Sequence, residues 1–306
     1  MNGIINIYKE EGFTSHDVVA KLRGILHQKK IGHTGTLDPA AVGVLPICLG
    51  SATKVCGLLT DKDKSYHAVV KLGIETDTQD TTGSIIRKCD TSGITEKKLI
   101  ECIAKFRGNI MQTPPMYSAV KVNGKKLYEL ARQGITIERK QRPVFISDIT
   151  ITEIDLDNET FSMDVTCSKG TYIRTLCHDI GNALGVAAAM DKLVRTRVSV
   201  FKIEDSITLS EVERLAKEDI SELEKHFLKV DKLFNSYPKV YIKQEFASYL
   251  ANGNVLSENM FKEADEDISI NLHETLLGSV LVYDENENFK AIYKKEAGRL
   301  KVEKMF

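Results

Sequence analysis

The sequence lacks the short motifs that indicate a metal site, a nucleotide cofactor or a nucleophilic serine. Its six cysteines include no C-x-x-C pair and its seven histidines no H-x-x-x-H, so the ligand spacings typical of zinc are missing. It also contains no Walker sequence, no G-x-G-x-x-G after a predicted strand and no G-x-S-x-G. Two carboxylate pairs, Asp61 with Asp63 and Asp77 with Asp80, favour solvated turns over a Mg²⁺ site. We therefore expect no metal and no cofactor.

Long hydrophobic runs are missing as well. No apolar run approaches the length needed to span a membrane, and residues 1–9 have no extended apolar core of the secretory-signal type. The cysteines are therefore expected to be reduced thiols of a cytoplasmic protein with no membrane partner. With 42% hydrophobic and 28% charged residues, the 306-residue chain has the composition of a globular protein and is long enough for one large and one smaller domain.

The net charge of −1 does not by itself indicate a nucleic-acid-binding protein. The charge is unevenly distributed, because residues 1–205 carry an excess of Lys and Arg whereas residues 206–306 carry an excess of Asp and Glu. This asymmetry is compatible with a polyanionic partner for the first two thirds of the chain.

Hydrophobic periodicity predicts a mixture of strands and helices. Apolar residues alternate over 66–74 as on a half-buried strand. Further strands are expected at 4–7, 144–156, 160–167 and 193–203. Helical spacing after capping residues predicts a helix with Ser15 as N-cap, one near 51–60, one begun by Thr95, and one from about Gly170 to Leu184.

The last third of the chain differs from the rest. Residues 206–235 are acidic with helical spacing and are expected to form a helical connector. After Pro238, a natural boundary, turn residues separate short strand-like runs at Lys239–Ile242, Leu277–Val282 and Phe289–Tyr293. We therefore expect one domain over residues 1–235 and a small all-β domain over residues 236–306.

The stretch from Gly32 to Pro39, GHTGTLDP, has no hydrophobic periodicity. Its glycines and proline favour a tight loop, and Asp38 followed by Pro39 has the pattern of an N-cap and the first residue of a helix. Glycine also lets the backbone approach a ligand closely, and Asp38 is the only carboxylate of this stretch. Two interpretations are open for Asp38: a helix cap or a reactive carboxylate.

Residues 112–142 are rich in basic side chains, with tyrosines interleaved at 117 and 128. The basic residues are Lys121, Lys125, Lys126, Arg132, Arg139, Lys140 and Arg142. This composition suits a surface arm that contacts the phosphates and bases of RNA. A solvated loop with a short helix from Leu127 to Arg132 has the same composition, so both interpretations are open.

Arg174 is expected near the start of a helix, among the apolar residues Ile173, Leu176 and Ile180. An arginine in such surroundings either pairs with a buried carboxylate or extends its charged end to water. Arg174 is therefore a candidate partner for the carboxylate of the glycine-rich stretch.

Together these segments resemble the TruB-type tRNA pseudouridine synthases. The resemblance is carried by Gly32–Pro39 and, most tellingly, by Cys167–Thr175, CSKGTYIRT. Further matching segments lie between them in the family's order: Pro46–Lys54, Lys64–Tyr66, Phe106–Gly108, Pro115–Lys121, Gly124–Glu129 and Ala131–Gly134. The resemblance covers residues 4 to about 205, and the C-terminal region has the position of the family's small PUA-type β domain with a weaker match.

The resemblance implies an α+β fold, with a mixed, mainly antiparallel sheet and flanking helices, followed by a small PUA-like β domain. It implies an isomerase that converts a uridine in the T loop of tRNA, at position 55, to pseudouridine. That reaction breaks the C1′–N1 bond and joins C1′ to C5, which requires neither a metal nor a redox cofactor. The implied partner is the T arm of tRNA, bound by a monomer without a protein partner.

The resemblance also implies roles for individual residues. Asp38 would start glycosidic cleavage, either by covalent addition or by a glycal route through proton loss at the sugar, and Arg174 would pair with it. Tyr66, a further catalytic residue, would stack on the target base and could also transfer a proton through its hydroxyl. The base must leave its own stack to reach Asp38. The substrate-binding residues would be His33, Tyr172, Leu193, Lys9, Lys121, Lys125, Lys126 and Arg132.

Structural alternatives exist for several of these residues: a salt bridge for Arg174, a sheet-face aromatic for Tyr66, a satisfied loop histidine for His33 and core packing for Leu193. Two other classes of function are also conceivable. One is a non-catalytic RNA-binding protein with the same fold. The other is a nucleotidyltransferase, suggested by Gly-Thr-Leu-Asp, which would require a His-x-Gly-His and a phosphate loop that the chain lacks.

Overall fold

A computed structural model describes residues 1–262, 278–296 and 298–306, which form a large mixed sheet with helices, a small C-terminal sheet and two short hairpins. The strands are β1 Gly3–Lys9, β2 Ile31–His33, β3 Val42–Leu49, β4 Lys64–Leu72, β5 Ile74–Thr76, β6 Ile85–Lys88, β7 Gly108–Gln112, β8 Lys121–Val122, β9 Lys125–Lys126, β10 Arg142–Asp155, β11 Thr160–Cys167, β12 Ala188–Val198, β13 Phe201–Lys202, β14 Phe227–Leu228, β15 Lys239–Tyr241, β16 Ser279–Tyr283, β17 Phe289–Glu296 and β18 Arg299–Met305.

The α-helices are α1 Ser15–Ile25, α2 Cys56–Thr60, α3 Glu96–Ile103, α4 Leu127–Ala131, α5 Ile173–Leu184, α6 Leu209–Glu218, α7 Ile220–Lys225 and α8 Ala247–Ala251. Short 3₁₀ helices cover Gly50–Val55, Ala104–Phe106, Ile203–Asp205, Val230–Phe234, Gln244–Phe246 and Glu258–Met260. Within the described part of the chain, no helix is long and apolar enough to cross a membrane.

The large sheet runs in the order β14-β1-β3-β12-β4-β11-β10-β7, with β13 beside β12 and β2 beside β3. All of these pairs are antiparallel except β3 with β12, where Val42 lies opposite Val194 and Gly43 opposite Arg195. Gly43 has a φ of 102°, and a Cβ there would lie 2.4 Å from the carbonyl oxygen of Arg195. Only glycine therefore permits this close parallel pair, which fixes where the chain enters β3.

Both faces of the sheet are covered at its centre, and this explains the continuous apolar run of β3. Successive side chains of a strand point to opposite faces. On one face, Leu45 and Ile47 pack with α1 and α6, whereas on the other Val44 and Cys48 pack towards the small sheet. Farther along, β4, β11 and β12 pack against α3 and α5. This last core lies beneath the residues expected to form the site.

The small sheet has the order β15-β16-β17-β18 and joins the large sheet through an apolar cluster that includes Leu281, Tyr283 and Ile292. The expected small β region is therefore present. Its predicted run at 277–282 is β16, which begins at Ser279; Leu277 lies outside the described residues. Strand β18 lies beyond the runs named from the sequence.

The α+β fold with a mainly antiparallel sheet is confirmed, and β4 follows the predicted alternation from Tyr66 to Leu72. Three boundaries need correction. The strand expected over 66–74 ends at Leu72, and Ile74 begins β5. Thr14, not Ser15, caps α1, because its hydroxyl accepts from the Asp17 amide at 3.1 Å while Ser15 lies inside the helix. The strand expected over 193–203 begins earlier, at Ala188, and ends at Val198, after which β13 turns back to pair with it.

The helix predicted after Asp38 does not form. The Ala41 amide donates to the Asp38 carbonyl at 3.1 Å, which closes a turn, and β3 follows at Val42. Once there, the chain pairs with β1, β2 and β12, and these tertiary hydrogen bonds override the local capping signal. The Asp38 carboxylate is consequently not used as a helix cap.

Candidate active site

Residues 34–41, here called the Asp38 loop, connect β2 to β3 and are anchored from neighbouring elements. The Thr34 amide and hydroxyl both donate to the Pro46 carbonyl at 3.2 Å, and the Thr60 hydroxyl donates to the Thr34 carbonyl at 3.1 Å. The Leu37 amide donates to the hydroxyl of Ser15 on α1 at 2.9 Å. Leu37 is buried, whereas the Asp38 side chain is 40% exposed. The loop therefore presents its carboxylate from a fixed backbone.

Lys9 lies beneath the loop and supports it, and its expected role as a substrate-binding residue needs correction. Its ammonium donates to the carbonyls of Glu10 at 3.0 Å, Phe13 at 2.7 Å and Pro39 at 3.1 Å, and the residue is fully buried. Burial lowers its pKa to about 8, while the charge of Asp38 acts in the opposite direction. All three donors of the ammonium are used inside the protein, so Lys9 is not available as the substrate-binding residue that the resemblance implied.

Arg195 on β12 is a second buried cation beneath the loop. Its guanidinium donates to the carbonyls of Val44 at 2.7 Å, Thr36 at 3.3 Å and Gly35 at 3.5 Å, and it interacts electrostatically with the Tyr66 side chain. Burial lowers its pKa, and contact with Tyr66 partly opposes this. Arg195 thus joins the loop, β3 and the aromatic ring of the site.

Arg174 and Asp38 meet in the structure. Nε of Arg174 lies 2.9 Å from Oδ2 of Asp38, and the arginine side chain is only 6% exposed. The other guanidinium nitrogens donate to the carbonyls of Thr78 and Tyr117, each at 2.9 Å. Position 174 is the second residue of α5, whose apolar face packs on β4 and β12. The helix therefore projects a buried guanidinium to the open carboxylate.

Asp80 also belongs to this network and was misinterpreted from the sequence. Its Oδ1 accepts from the Thr78 hydroxyl at 2.8 Å and from the Thr82 hydroxyl at 2.5 Å, and its Oδ2 lies 3.8 Å from Arg174 Nη1. The side chain is 12% exposed, so it is not a solvated turn carboxylate. Its local Asp-x-Thr spacing resembles an ordinary turn, and its distant partner Arg174 leaves no local signal.

Tyr66 and Leu193 line the same region from adjacent strands. Tyr66 on β4 is 8% exposed, and burial raises its pKa to about 12, with Arg195 acting against this shift. Leu193 on β12 lies opposite Ala68 of β4 and shares a core cluster with Leu37 and Tyr66. Tyr66 therefore joins the core and the Asp38 region, and Leu193 belongs to the supporting apolar layer.

His33 and Tyr172 are half-buried at the border of the site. The His33 ring accepts from the Gly35 amide at 3.3 Å and contacts the His16 ring edge-on, with centroids 5.1 Å apart. Burial, followed by the charge of His16, lowers the pKa of His33. Tyr172 is the residue just before α5, and its amide donates to Gln112 Oε1 at 2.8 Å. Both residues are thus held by main-chain contacts.

Residues 112–142, here called the arm, form a small folded unit. Met116, Leu127 and Leu130 make an apolar cluster inside it, and α4 packs on the β8–β9 hairpin. Lys121, Lys125 and Arg132 are exposed, and Arg132 and the half-buried Lys126 lie over the Tyr128 ring. The basic side chains therefore stand on a local core, which a plain solvated loop would not possess.

Sequence reasoning missed Ser15, Gln112, Asp80 and Arg195 as parts of the site. An arginine within the strand pattern expected over 193–203 could have pointed to Arg195, whereas nothing local distinguishes Ser15 from a helix cap. Among the described residues, no group of three or more His, Cys, Asp or Glu side chains could hold a metal ion. The chemistry offered is that of one carboxylate with a buried guanidinium and a tyrosine, which suits nucleophilic or base catalysis.

Solved structures give the class of protein. The backbone is similar to that of a chain in the crystal structure of a Cbf5-Nop10-Gar1 complex, with a TM-score of 0.71, 29% identity and coverage of 99% of this chain and 84% of that chain. A structure of an H/ACA RNP bound to a substrate RNA containing 2′-deoxyuridine matches with a TM-score of 0.70, 28% identity and the same coverage. The fold is that of the pseudouridine synthases.

Family models and relatives narrow this further. The model for the TruB family pseudouridylate synthase N-terminal domain matches residues 23–173, and that for the tRNA pseudouridylate synthase B C-terminal domain matches residues 174–235. The tRNA pseudouridine synthase B of Lachnoclostridium phytofermentans is 52% identical over 96% of this chain and 95% of its own. That of Clostridium perfringens is 44% identical over 100% and 99%. The chain belongs to the TruB family of pseudouridylate synthases, isomerases that act on a uridine of tRNA.

Proposed function

We propose that this enzyme converts the uridine at position 55, in the T loop of tRNA, to pseudouridine and that Asp38 is its catalytic residue. The supporting observation is the ion pair between the partly exposed Asp38 and the buried Arg174, with Nε and Oδ2 2.9 Å apart. An open carboxylate held by a fixed cation can approach C1′ as a nucleophile or take a proton from the sugar as a base. Both the covalent and the glycal routes use this arrangement.

The target uridine flips out of the RNA to reach Asp38. The carboxylate stands on an anchored loop, next to a tyrosine that is 8% exposed, and a base within a stack cannot enter such a place. In the flipped state the Tyr66 ring stacks on the uracil, while Tyr172 and Leu193 line the pocket. His33, half-buried beside His16, fills the space that the base leaves in the RNA.

The arm holds the T arm of the tRNA through Lys121, Lys125, Lys126 and Arg132, whose side chains stand on the arm's own apolar cluster. In this proposal residues 1–235 form the catalytic domain, including the arm and the connector 206–235, and residues 236–306 form the PUA-like domain. The enzyme acts as a cytoplasmic monomer that needs neither a metal nor a redox cofactor.

The test uses tRNA transcripts labelled with [5-³H]uridine, because joining C1′ to C5 releases the C5 hydrogen. We expect the purified protein to release one equivalent of tritium per tRNA, and none from a matched transcript with cytidine at position 55. Mapping with a carbodiimide that marks pseudouridine should place the product at position 55. Full release from the cytidine transcript would move the site elsewhere, and no release from any tRNA would favour a non-catalytic RNA-binding protein.

A further inference from the structure

One buried amide joins the root of the arm to the helix that carries Arg174. Gln112 is the last residue of β7 and is 2% exposed. Its Nε2 donates to the Tyr172 carbonyl at 3.0 Å, and its Oε1 accepts from the Tyr172 amide at 2.8 Å. A carboxamide can bond the amide N–H and the carbonyl of one residue at the same time, because it carries a donor and an acceptor side by side.

The peptide groups that Gln112 binds determine how α5 begins. Tyr172 is the N-cap residue, with φ −96° and ψ 110°, and no side chain caps this helix. Its carbonyl also accepts from the Leu176 amide at 3.0 Å, which closes the first turn. Arg174 lies within that turn, so fixing the Tyr172 peptide fixes the position from which the Arg174 side chain extends.

A second contact ties the arm to the same arginine. Nη2 of Arg174 donates to the carbonyl of Tyr117, in the arm, at 2.9 Å, while Nε of the same group pairs with Asp38 at 2.9 Å. The arm backbone and the Asp38 carboxylate therefore share one planar guanidinium. Because that group is rigid, a shift of the arm root would move the donor that faces Asp38.

We propose that Gln112 is a positioning residue for the isomerisation, which acts through the Tyr172 peptide to hold Arg174 against Asp38. At the root of the arm, it also couples the position of the arm on RNA to this ion pair. The proposal rests on the role of Asp38 proposed above. It assigns a function to a side chain that touches neither the carboxylate nor, in this arrangement, the substrate.

The test compares Gln112→Met, which keeps the length but loses both hydrogen bonds, with Gln133→Met, the same change at an exposed arm position. Tritium release is measured in a single turnover at saturating tRNA, together with the tRNA dissociation constant and the melting temperature. We expect the rate of Gln112→Met to fall by about 10- to 100-fold, as for other misplaced catalytic groups, with the dissociation constant changed less than about threefold. Gln133→Met should match the wild type.

A second variant, Gln112→Glu, separates positioning from folding. Its ionised carboxylate still accepts from the Tyr172 amide but repels the Tyr172 carbonyl, whereas the protonated acid again offers a donor and an acceptor. Its rate relative to the wild type should therefore rise as the pH falls through the pKa of the new carboxyl, which burial raises. The rate of Gln112→Met relative to the wild type should not change in this way.

The proposal is overturned if folded Gln112→Met turns over at the wild-type rate, or if its defect is confined to tRNA affinity. Should Gln112→Met not fold, Gln112→Glu decides: a rate ratio that does not vary with pH contradicts the proposal. Asp38→Asn is assayed in parallel. Tritium release by that variant would refute the proposed role of Asp38, whereas a silent Asp38→Asn beside a fully active Gln112→Met would refute the positioning role alone.

Discussion

The Asp38 loop and the arm are built in opposite ways. The loop has no core of its own and is held by α1, β12 and the end of α2 through Ser15, Arg195 and Thr60. The arm has its own apolar cluster and meets the body at its root, through the Gln112 side chain and the Tyr117 carbonyl. The loop is therefore held in place by contacts with the rest of the protein, whereas the arm is held in shape by its own apolar cluster.

The difference suits two separate tasks. A reacting carboxylate must stay within a fraction of an ångström of its productive position, which many anchors from a rigid body provide. A surface that binds RNA benefits if it can move as a unit. The arm is attached by a few contacts at its root, and rearranging them costs little free energy. We therefore expect substitutions in the loop and at the arm's root, Gln112, to change the chemical step, and substitutions on the arm's exposed basic surface to change binding.

The largest effect is expected for Asp38→Asn. The amide keeps the size of the side chain but can act neither as a nucleophile nor as a base, so turnover should fall by about 1000-fold or more, roughly 4 kcal/mol of barrier. Binding of tRNA should stay close to the wild type. Tritium release and a filter-binding titration measure the two quantities. Turnover within about tenfold of the wild type would make Asp38 a structural residue.

For Arg195→Met we expect a smaller loss of rate together with a loss of stability. The change leaves the carbonyls of Gly35, Thr36 and Val44 without a donor, so the free energy of unfolding should fall by about 2 kcal/mol. The rate at saturating tRNA should fall by about tenfold or more, because the loop loses an anchor. Denaturant titration and single-turnover release measure these effects.

Arg197→Met is the matched control on the same strand. Arg197 bonds Ser65 and the Ser199 carbonyl rather than the Asp38 loop. A wild-type rate for Arg195→Met, or an equal loss for both variants, would show that the loop does not depend on this anchor.

Substitutions of Tyr66 separate its contribution to tRNA binding from its contribution to the chemical step. Tyr66→Phe keeps the stacking face, whereas Tyr66→Leu should lose about 1–3 kcal/mol of binding to tRNA, the value of one base–aromatic stack. If the hydroxyl transfers a proton, the rate should fall in both variants. Because burial raises the pKa of Tyr66 to about 12, the wild-type rate should show no loss from its ionisation up to about pH 10. Wild-type rates and affinities in both variants would remove Tyr66 from the site.

The smallest effect on chemistry is expected when Lys121, Lys125 and Lys126 are replaced together by Ala. Each lost phosphate contact should reduce the slope of log K against log salt by about 0.7–0.9. The rate at saturating tRNA should change much less than the affinity. Unchanged affinity and an unchanged salt slope would show that the arm is a solvated surface whose lysines do not contact phosphates. A large fall in the saturated rate would instead mean that the arm completes the site.

The sequence predicted what depends on local pattern. The alternation of β4 and the start of α3 at Thr95 are present as expected, because side-chain periodicity and capping are properties of neighbouring residues. The apolar surroundings of Arg174 made it a candidate partner for Asp38, and the family resemblance implied that the two residues pair. No spacing rule could have given it, since the two residues lie on a loop and a helix that are far apart in the chain.

The errors share a physical cause. Asp38 and Pro39 carry a helix-start signal, but pairing of β3 with β1 draws the chain into the sheet. Lys9 looked like an exposed cation because nothing in the sequence shows that the carbonyls of Phe13 and Pro39 converge on it. In each case the deciding partner is distant in sequence, and local propensity is a weak guide against such contacts.

The comparison of loop and arm is tested most directly by amide hydrogen exchange, followed with and without bound tRNA. We expect slow exchange of the Leu37 amide, which donates to the buried Ser15, in both states. The Tyr128 and Gln133 amides should exchange faster in the free protein, because the arm's small apolar cluster opens locally at low cost, and should become protected once tRNA is bound. An arm as protected as the loop before tRNA is added, or a Leu37 amide that becomes protected only with tRNA, would contradict this contrast between loop and arm.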